Sequence, residues 1–295
     1  MRGERGIGDY VPIILVMVIW GSMGIPSTYA VKEFSPLAII CLRSGIAAVV
    51  LFPFVRRRHE SIKPGKNDGW LLVLLSFIGI VLCNYLYFFA VRHTALTNVA
   101  ILYALGPIIT TVLAALLLKE KVHQSRTVGI LLAFVGAAAL ITDGKLGQLF
   151  LISFNRGDIA ELVSALCLAV YTILSRKLKN TPADCAVFWL MLIGFAMTLP
   201  MVFLMEGGLS LSVSWKALAS IAYLGILCSG MGYLLQQISI KSIGASTSAA
   251  FLNGISPITI LTAAIILKEE ITPMQMCCMA VVFFGLFLNA ENKTF

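Results

Sequence analysis

The chain has 295 residues, 59% of them hydrophobic and only 12% charged, with a mean hydropathy of +0.94. A soluble domain carries about 25% charged residues to face water, so these values exclude an ordinary soluble fold and make lipid the main solvent. The net charge of +8 is dispersed over short segments such as Arg56-Arg57-Arg58 and Arg176-Lys177, and with no basic face set apart it excludes nucleic acid as a partner.

Crossing the hydrocarbon core takes about 20 apolar residues of helix. Ten spans are predicted, at 10–31, 35–55, 69–91, 95–118, 126–143, 157–176, 185–205, 215–237, 245–267 and 272–290. The first is too long for the apolar region of a leader peptide and is read as a retained span. Gly21-x-x-Gly24 within it allows close helix contact. The second span carries Arg43 about eight residues in, where a charge costs about 2.5–3.5 kcal/mol or more. Arg43 reads either as an anchor for an anionic group or, preferred here, as a structural arginine at a broken helix end.

In the third span Asn84 and Tyr87 share one face at i, i+3. The fourth holds Tyr103 and, four residues on, Pro107, which removes a helical hydrogen bond and bends the helix. It ends at Leu118-Lys119-Glu120, read as interfacial punctuation. The sixth span has Glu161 one turn in. That carboxyl reads as a proton-coupling group or, preferred, as first-turn decoration beside the helix dipole. The eighth carries Tyr233 and Gln236 with Gly225-x-x-x-Ser229, and the ninth Asn253 and Pro257. Polar side chains facing lipid would go unsatisfied, so these should point inward. Trp70, Trp189 and Trp215 read as interfacial belt residues.

With the N-terminus in the cytoplasm, 15 of the 22 lysines and arginines fall on the inner side and six on the outer, Arg43 lying within a span. The positive-inside rule therefore places both termini in the cytoplasm. The seven cysteines show no paired or metal-ligand spacing, and no metal or cofactor is expected.

The chain also repeats itself. Gly8-Asp9 recurs as Gly157-Asp158, Tyr87 matches Gln236 and Arg92 matches Lys241 at an offset of 149. Ala100–Pro107 matches Ala250–Pro257 at 150, and Phe134-x-Gly136 matches Phe283-x-Gly285 at 149. Two five-span repeats, 8–143 and 157–290, are expected. An odd number of spans makes the second enter from the opposite side, which gives an all-α membrane protein of two inverted repeats.

Trp20-Gly21, Pro36 with Arg43, Phe89-Ala90, Thr97–Pro107, Gly129, Gly136, Gly244-Ala245-Ser246, Pro257, Lys268-Glu269 and Gly285 carry a recognisable pattern. In order and spacing the chain resembles the EamA-like branch of the drug/metabolite transporter superfamily. The resemblance implies a transporter, often an exporter, of amino acids or other small metabolites; the compact loops make the plasma (inner) membrane the expected location. The resemblance places Trp20 and Tyr171 beside a central cavity with Asn84, Tyr87, Tyr103, Tyr233, Gln236 and Asn253, the set expected to bind substrate, with hydrogen bonding between helices as the equal alternative for the polar members. Lysine precedes the glutamate at 119 and 268, and Ala169-Val170 stands opposite Trp20-Gly21; these departures weaken any transfer of a particular substrate. A channel or a non-transporting scaffold is the alternative. A membrane enzyme is least supported, since His59, His93 and His123 sit in loops or span ends and no HExxH or GxSxG is present.

Overall fold

The structure, a computed structural model, describes residues 7–118, 124–142, 155–206, 213–267 and 271–291 with Gly144 and Gly147. The described residues are helical, with no strand among them. Lys119-Glu120 and Lys268-Glu269, read as punctuation, lie outside them.

The first predicted span folds as α1 (Val11–Gly21) and α2 (Gly24–Glu33), bent by 45° where they meet. Helix α3 (Pro36–Arg58) starts cleanly: Ser35 Oγ accepts from Ala38 N at 3.1 Å and Pro36 fills the first position, where proline lacks only a hydrogen an N-terminus leaves unused. A continuous helix, Gly69–His93, runs through α4 (Gly69–Leu75), a widened π segment at Ser76–Leu82 and α5 (Cys83–His93). Next come α6 (Leu96–Tyr103), α7 (Gly106–Leu118) and α8 (Gln124–Ile141).

Helix α9 (Arg156–Ser175) opens with a capping box: Asn155 accepts from the first turn while Asp158 reaches back to the Asn155 N–H. Helix α10 (Ala183–Glu206) is followed by a second continuous helix, Trp215–Ile243, which joins α11 (Trp215–Tyr223), a π segment at Leu224–Gly232 and α12 (Tyr233–Ile243). The chain closes with α13 (Ala245–Phe251), a 3₁₀ turn at Leu252–Gly254, α14 (Ile255–Leu267) and α15 (Pro273–Glu291).

Among the described residues six helices are long and apolar enough to cross a membrane, or seven with the bent α1–α2 pair. The apolar parts of the fifth and tenth predicted spans, Thr127–Ile141 and Pro273–Leu288, are shorter, and the ninth is interrupted by its 3₁₀ turn. Large apolar side chains face outward along these helices, with Leu204 at 85% exposure and Ile265 at 78%, as a lipid-facing surface requires.

Helix α3 packs along α10, α5 along α9, and α8 along α15; α1 lies against α12 and α14, and α7 against α9. Gly285 shows why α8 and α15 approach so closely: a Cβ there would sit 2.6 Å from the Gly129 carbonyl and 2.7 Å from Ala133 N. Small residues let backbones meet where no water drives association.

The two ends of the bundle are tied by different polar contacts. At the end where α1 begins, Ser242 Oγ donates to Asp9 at 3.0 Å, Asp68 accepts from Thr181 Oγ1 at 2.7 Å and from Asn180 N at 3.1 Å, and Lys241 Nζ donates to the Thr181 carbonyl at 2.6 Å. At the other end Asp158 accepts from Thr94 Oγ1 at 2.7 Å and Asn98 Nδ2 at 3.1 Å, while Glu33 accepts from Ser214 N at 2.6 Å. Trp70 and Trp215 are exposed at helix starts. Trp189, expected in the same belt, instead is half-buried and donates Nε1 to the Ile62 carbonyl at 2.6 Å.

Candidate functional site

The helix interruptions converge on a cavity of about 300 Å³, lined by Trp20, Met23, Gly24, Tyr87, Val99, Ala100, Tyr103, Ile141, Ile255, Ser256, Thr259 and Ile260. Each break frees backbone acceptors beside it. Thr259 Oγ1 donates to the Gly21 carbonyl at 2.8 Å, at the α1–α2 break. Pro107 has no N–H to give the Tyr103 carbonyl four residues back, and Pro257 none for Asn253. Irregular backbone at membrane depth is tolerated where it is buried or lines a cavity, and here it does both.

Next to the cavity lies a buried polar lattice. Arg43, 3% exposed, donates Nε to Ser229 Oγ at 2.6 Å and Nη1 to Asn84 Oδ1 at 2.8 Å, its guanidinium 5.6 Å from the Phe88 ring centroid. Gly225 makes this docking possible, since a Cβ there would stand 2.8 Å from the Ile46 side chain and 3.3 Å from the Arg43 carbonyl. Asn84 Nδ2 donates to the Gly79 and Ile80 carbonyls and to Tyr233 Oη, each at 3.0 Å, and Tyr233 donates to Gly79 O at 3.2 Å. Trp20 Nε1 donates to the Cys228 carbonyl at 3.2 Å. Gly79 and Cys228 sit inside the two π segments, whose widened turns present carbonyls to side chains instead of to the helix ladder.

Of the eight residues expected to bind substrate, Trp20, Tyr87 and Tyr103 line the cavity. Tyr233 stands edge-on to both Trp20 (5.4 Å between centroids) and Tyr171 (5.8 Å), so it joins the cavity wall to the core. Asn84 is committed to Arg43 and the π segment. Tyr171 is wholly buried, and the side-chain amides of Gln236 and Asn253 are buried without hydrogen-bond partners. Arg43 satisfies side chains of two helices in place of the broken-end carbonyls expected. Glu161, expected to decorate a first turn, is 0% exposed with both oxygens unpartnered.

The sequence reading missed Met23, Ser256 and Thr259 in the cavity wall, and Ser229 under Arg43. Ser256 and Thr259 flank Pro257, the one local signal that marked them. Away from the cavity, His59 Nε2 lies 2.9 Å from Asp184 Oδ2, and with Cys185 their ligand atoms fall within 4.8 Å of one another. Arg58 stands 3.9 Å from the same carboxylate, so a metal cation there would meet a positive neighbour.

The site is a metabolite-sized cavity at the broken middle of apolar helices, walled by three aromatics, small and aliphatic residues and two hydroxyls. The EamA-like transporter family pattern matches residues 10–142 and 155–290, and the chain belongs to that family, in keeping with the drug/metabolite transporter superfamily. It is 27% identical over 287 residues to the Bacillus subtilis protein named uncharacterized transporter YyaM, covering 96% of this chain and 93% of that one. An Archaeoglobus fulgidus uncharacterized transporter is 25% identical over 290 residues, covering 96% and 99%. A solved crystal structure with 16% identity superposes at a TM-score of 0.80 over 95% of this chain and 96% of the other, a likeness of fold alone. Membrane transporter is thus the shared description.

Proposed function

We propose that the chain is a secondary transporter, working chiefly as an exporter, that moves a small metabolite such as an amino acid by alternating access between two inverted five-helix repeats, 8–143 and 157–290. The observation carrying this reading is the cavity at the helix breaks. Its volume of about 300 Å³ is at the small end of ligand sites, and its wall of three aromatics with Ser256 and Thr259 suits a zwitterionic or aromatic metabolite better than a strongly anionic one.

The inverted arrangement is supported by paired features. Asp9 and Asp158, at the starts of α1 and α9, contact Ser242 and Thr94 at opposite ends. The π segments 76–82 and 224–232 stand at the repeat offset. Such repeats place substrate at their interface near the midplane. Ten spans with both termini cytoplasmic, in the plasma membrane, complete the proposal. In that orientation the polar contacts around Asp68 and Thr181 lie at the inner end and those of Asp158 and Glu33 at the outer.

The test is uptake by proteoliposomes of a mixed amino-acid and metabolite panel, read by mass spectrometry against protein-free liposomes. Saturable, protein-dependent accumulation of one compound class, weakened at least tenfold by Tyr87→Ala or Tyr103→Ala, is expected. Flux that rises linearly without saturating would replace the carrier with a channel.

A further inference from the structure

Helix α9 buries three polar side chains at successive turns: Asp158, Glu161 and Ser164. The first and third are anchored. Asp158 accepts from Thr94, Asn98 and Asn155 N, and Ser164 Oγ donates to the Cys83 carbonyl at 2.9 Å. Glu161, between them, is buried on the same face with neither oxygen hydrogen-bonded, and it forms no ion pair among the described residues. Its carboxyl lies within electrostatic reach of Tyr87 and Tyr103, the two tyrosines of the cavity wall, and of Cys83. A bare carboxylate taken out of water costs several kcal/mol unless a partner compensates. Asp158 one turn earlier is the counterexample in the same helix. The charged form of Glu161 is therefore the costlier of its two states, and ionisable groups at membrane depth mark ion pathways.

We propose that Glu161 is a proton-binding site behind the cavity wall, and that the proton it carries is exchanged with bulk water as the cavity opens to alternate sides, coupling substrate movement to a pH gradient. This rests on the transporter reading above. In the step, hydronium gives its proton to a carboxylate oxygen on the acid side, and the carboxylic acid returns that proton to water on the other. Tyr87 and Tyr103 both line the cavity and lie within electrostatic reach of the carboxyl, so a change in their packing is the step that would give water a path to it.

The titratable groups around Glu161 are few. Helix α5 presents Cys83 and Tyr87, while its Arg92 and exposed His93 lie at the end, His93 stacked on Phe89 at 4.0 Å. Tyr103 on α6 lies within electrostatic reach, Asp158 and Cys167 share its own helix, and Arg43 on α3 is held by Ser229 and Asn84. Helices α4, α7 and α13 and the segment 76–82 contribute none.

Two measurements on the full chain in proteoliposomes test this. An apolar carbodiimide, which adds to a buried protonated carboxyl to leave a stable acylurea, should modify Glu161 in the wild type. The modified fraction should fall as pH rises, and the same peptide of Glu161→Gln should stay unmodified. No adduct on Glu161 at any pH between 5 and 9 on the order of a unit apart overturns the proposal, with or without a known substrate. For the compound class that the panel identifies, an imposed pH gradient of either sign should drive accumulation in the wild type. Glu161→Gln should lose that drive at least tenfold yet retain exchange of labelled for unlabelled substrate; Glu161→Asp, which keeps the carboxyl, should keep the drive with an altered pH profile. Equal gradient-driven accumulation in Glu161→Gln overturns the proposal. Absence of labelled exchange in the wild type would instead count against the transporter reading, and the carbodiimide result still decides whether Glu161 holds a proton.

Discussion

Arg43 shows how one buried charge organises a site with no counter-ion among the described residues. Its two hydrogen-bond partners are neutral and come from different helices, Asn84 from α5 and Ser229 from the π segment before α12. Removing the guanidinium leaves both buried acceptors unpaired, at a cost of about 1–3 kcal/mol. Arg43→Gln is therefore expected to lower the melting temperature in detergent. Because the partners share one interaction, combining it with Ser229→Ala should cost less than the two single changes together, by about 0.5–3 kcal/mol. Strict additivity would mean that Arg43 does not bridge the helices. The sequence marked Arg43 as an inward-facing residue through the cost of a charge at that depth. It did not identify the partner, since Ser229 lies 186 residues away and its own context reads only as a small-residue pattern.

At the scale of helices, the apolar runs were legible because 20 residues without charge have one main use, and the helix limits follow them closely. The two π segments were not. A widened turn depends on what packs against it, and Gly79 illustrates this: a Cβ there would run into the ring of Tyr171, which is fully buried and cannot retreat. Ordinary helix propensity favours Gly→Ala by up to about 1 kcal/mol, whereas overpacking a core costs about 1–3 kcal/mol. The clash should win, so Gly79→Ala is expected to reduce thermal stability, with Tyr171→Leu recovering part of the loss by giving the added methyl room. Stabilisation by Gly79→Ala alone would show that the segment regains a regular helix freely. Trp189 fails for a related reason: an indole near a span end reads as a lipid-belt residue, and only the approach of the 59–68 segment turns it inward to Ile62.

For the whole molecule, the repeat in sequence makes two related packings expected, but which end is closed depends on contacts between segments far apart in the chain. Asp68 concentrates these contacts. It binds Thr181 Oγ1 and Asn180 N, while Thr181 also accepts from Gly65 N at 2.9 Å and from Lys241 at its carbonyl. In a state open at this end water would solvate the same groups, so their loss penalises the closed state most. A difference of about 1.4 kcal/mol shifts such an equilibrium about tenfold. Cys185, buried at 1% exposure beside Asp184 at the same end, is a native reporter, and the exposed Cys277 is the internal control. Asp68→Ala should raise the rate of Cys185 alkylation by maleimide about tenfold while leaving Cys277 unchanged, as read by peptide mass spectrometry. If neither rate changes, the Asp68–Thr181 contacts do not hold this end shut; if both rise together, the variant has loosened the fold as a whole. An increase confined to Cys185 would place the energetic difference between the two open states in the polar contacts at the bundle's end, leaving the aromatic cavity wall free to be shaped by substrate.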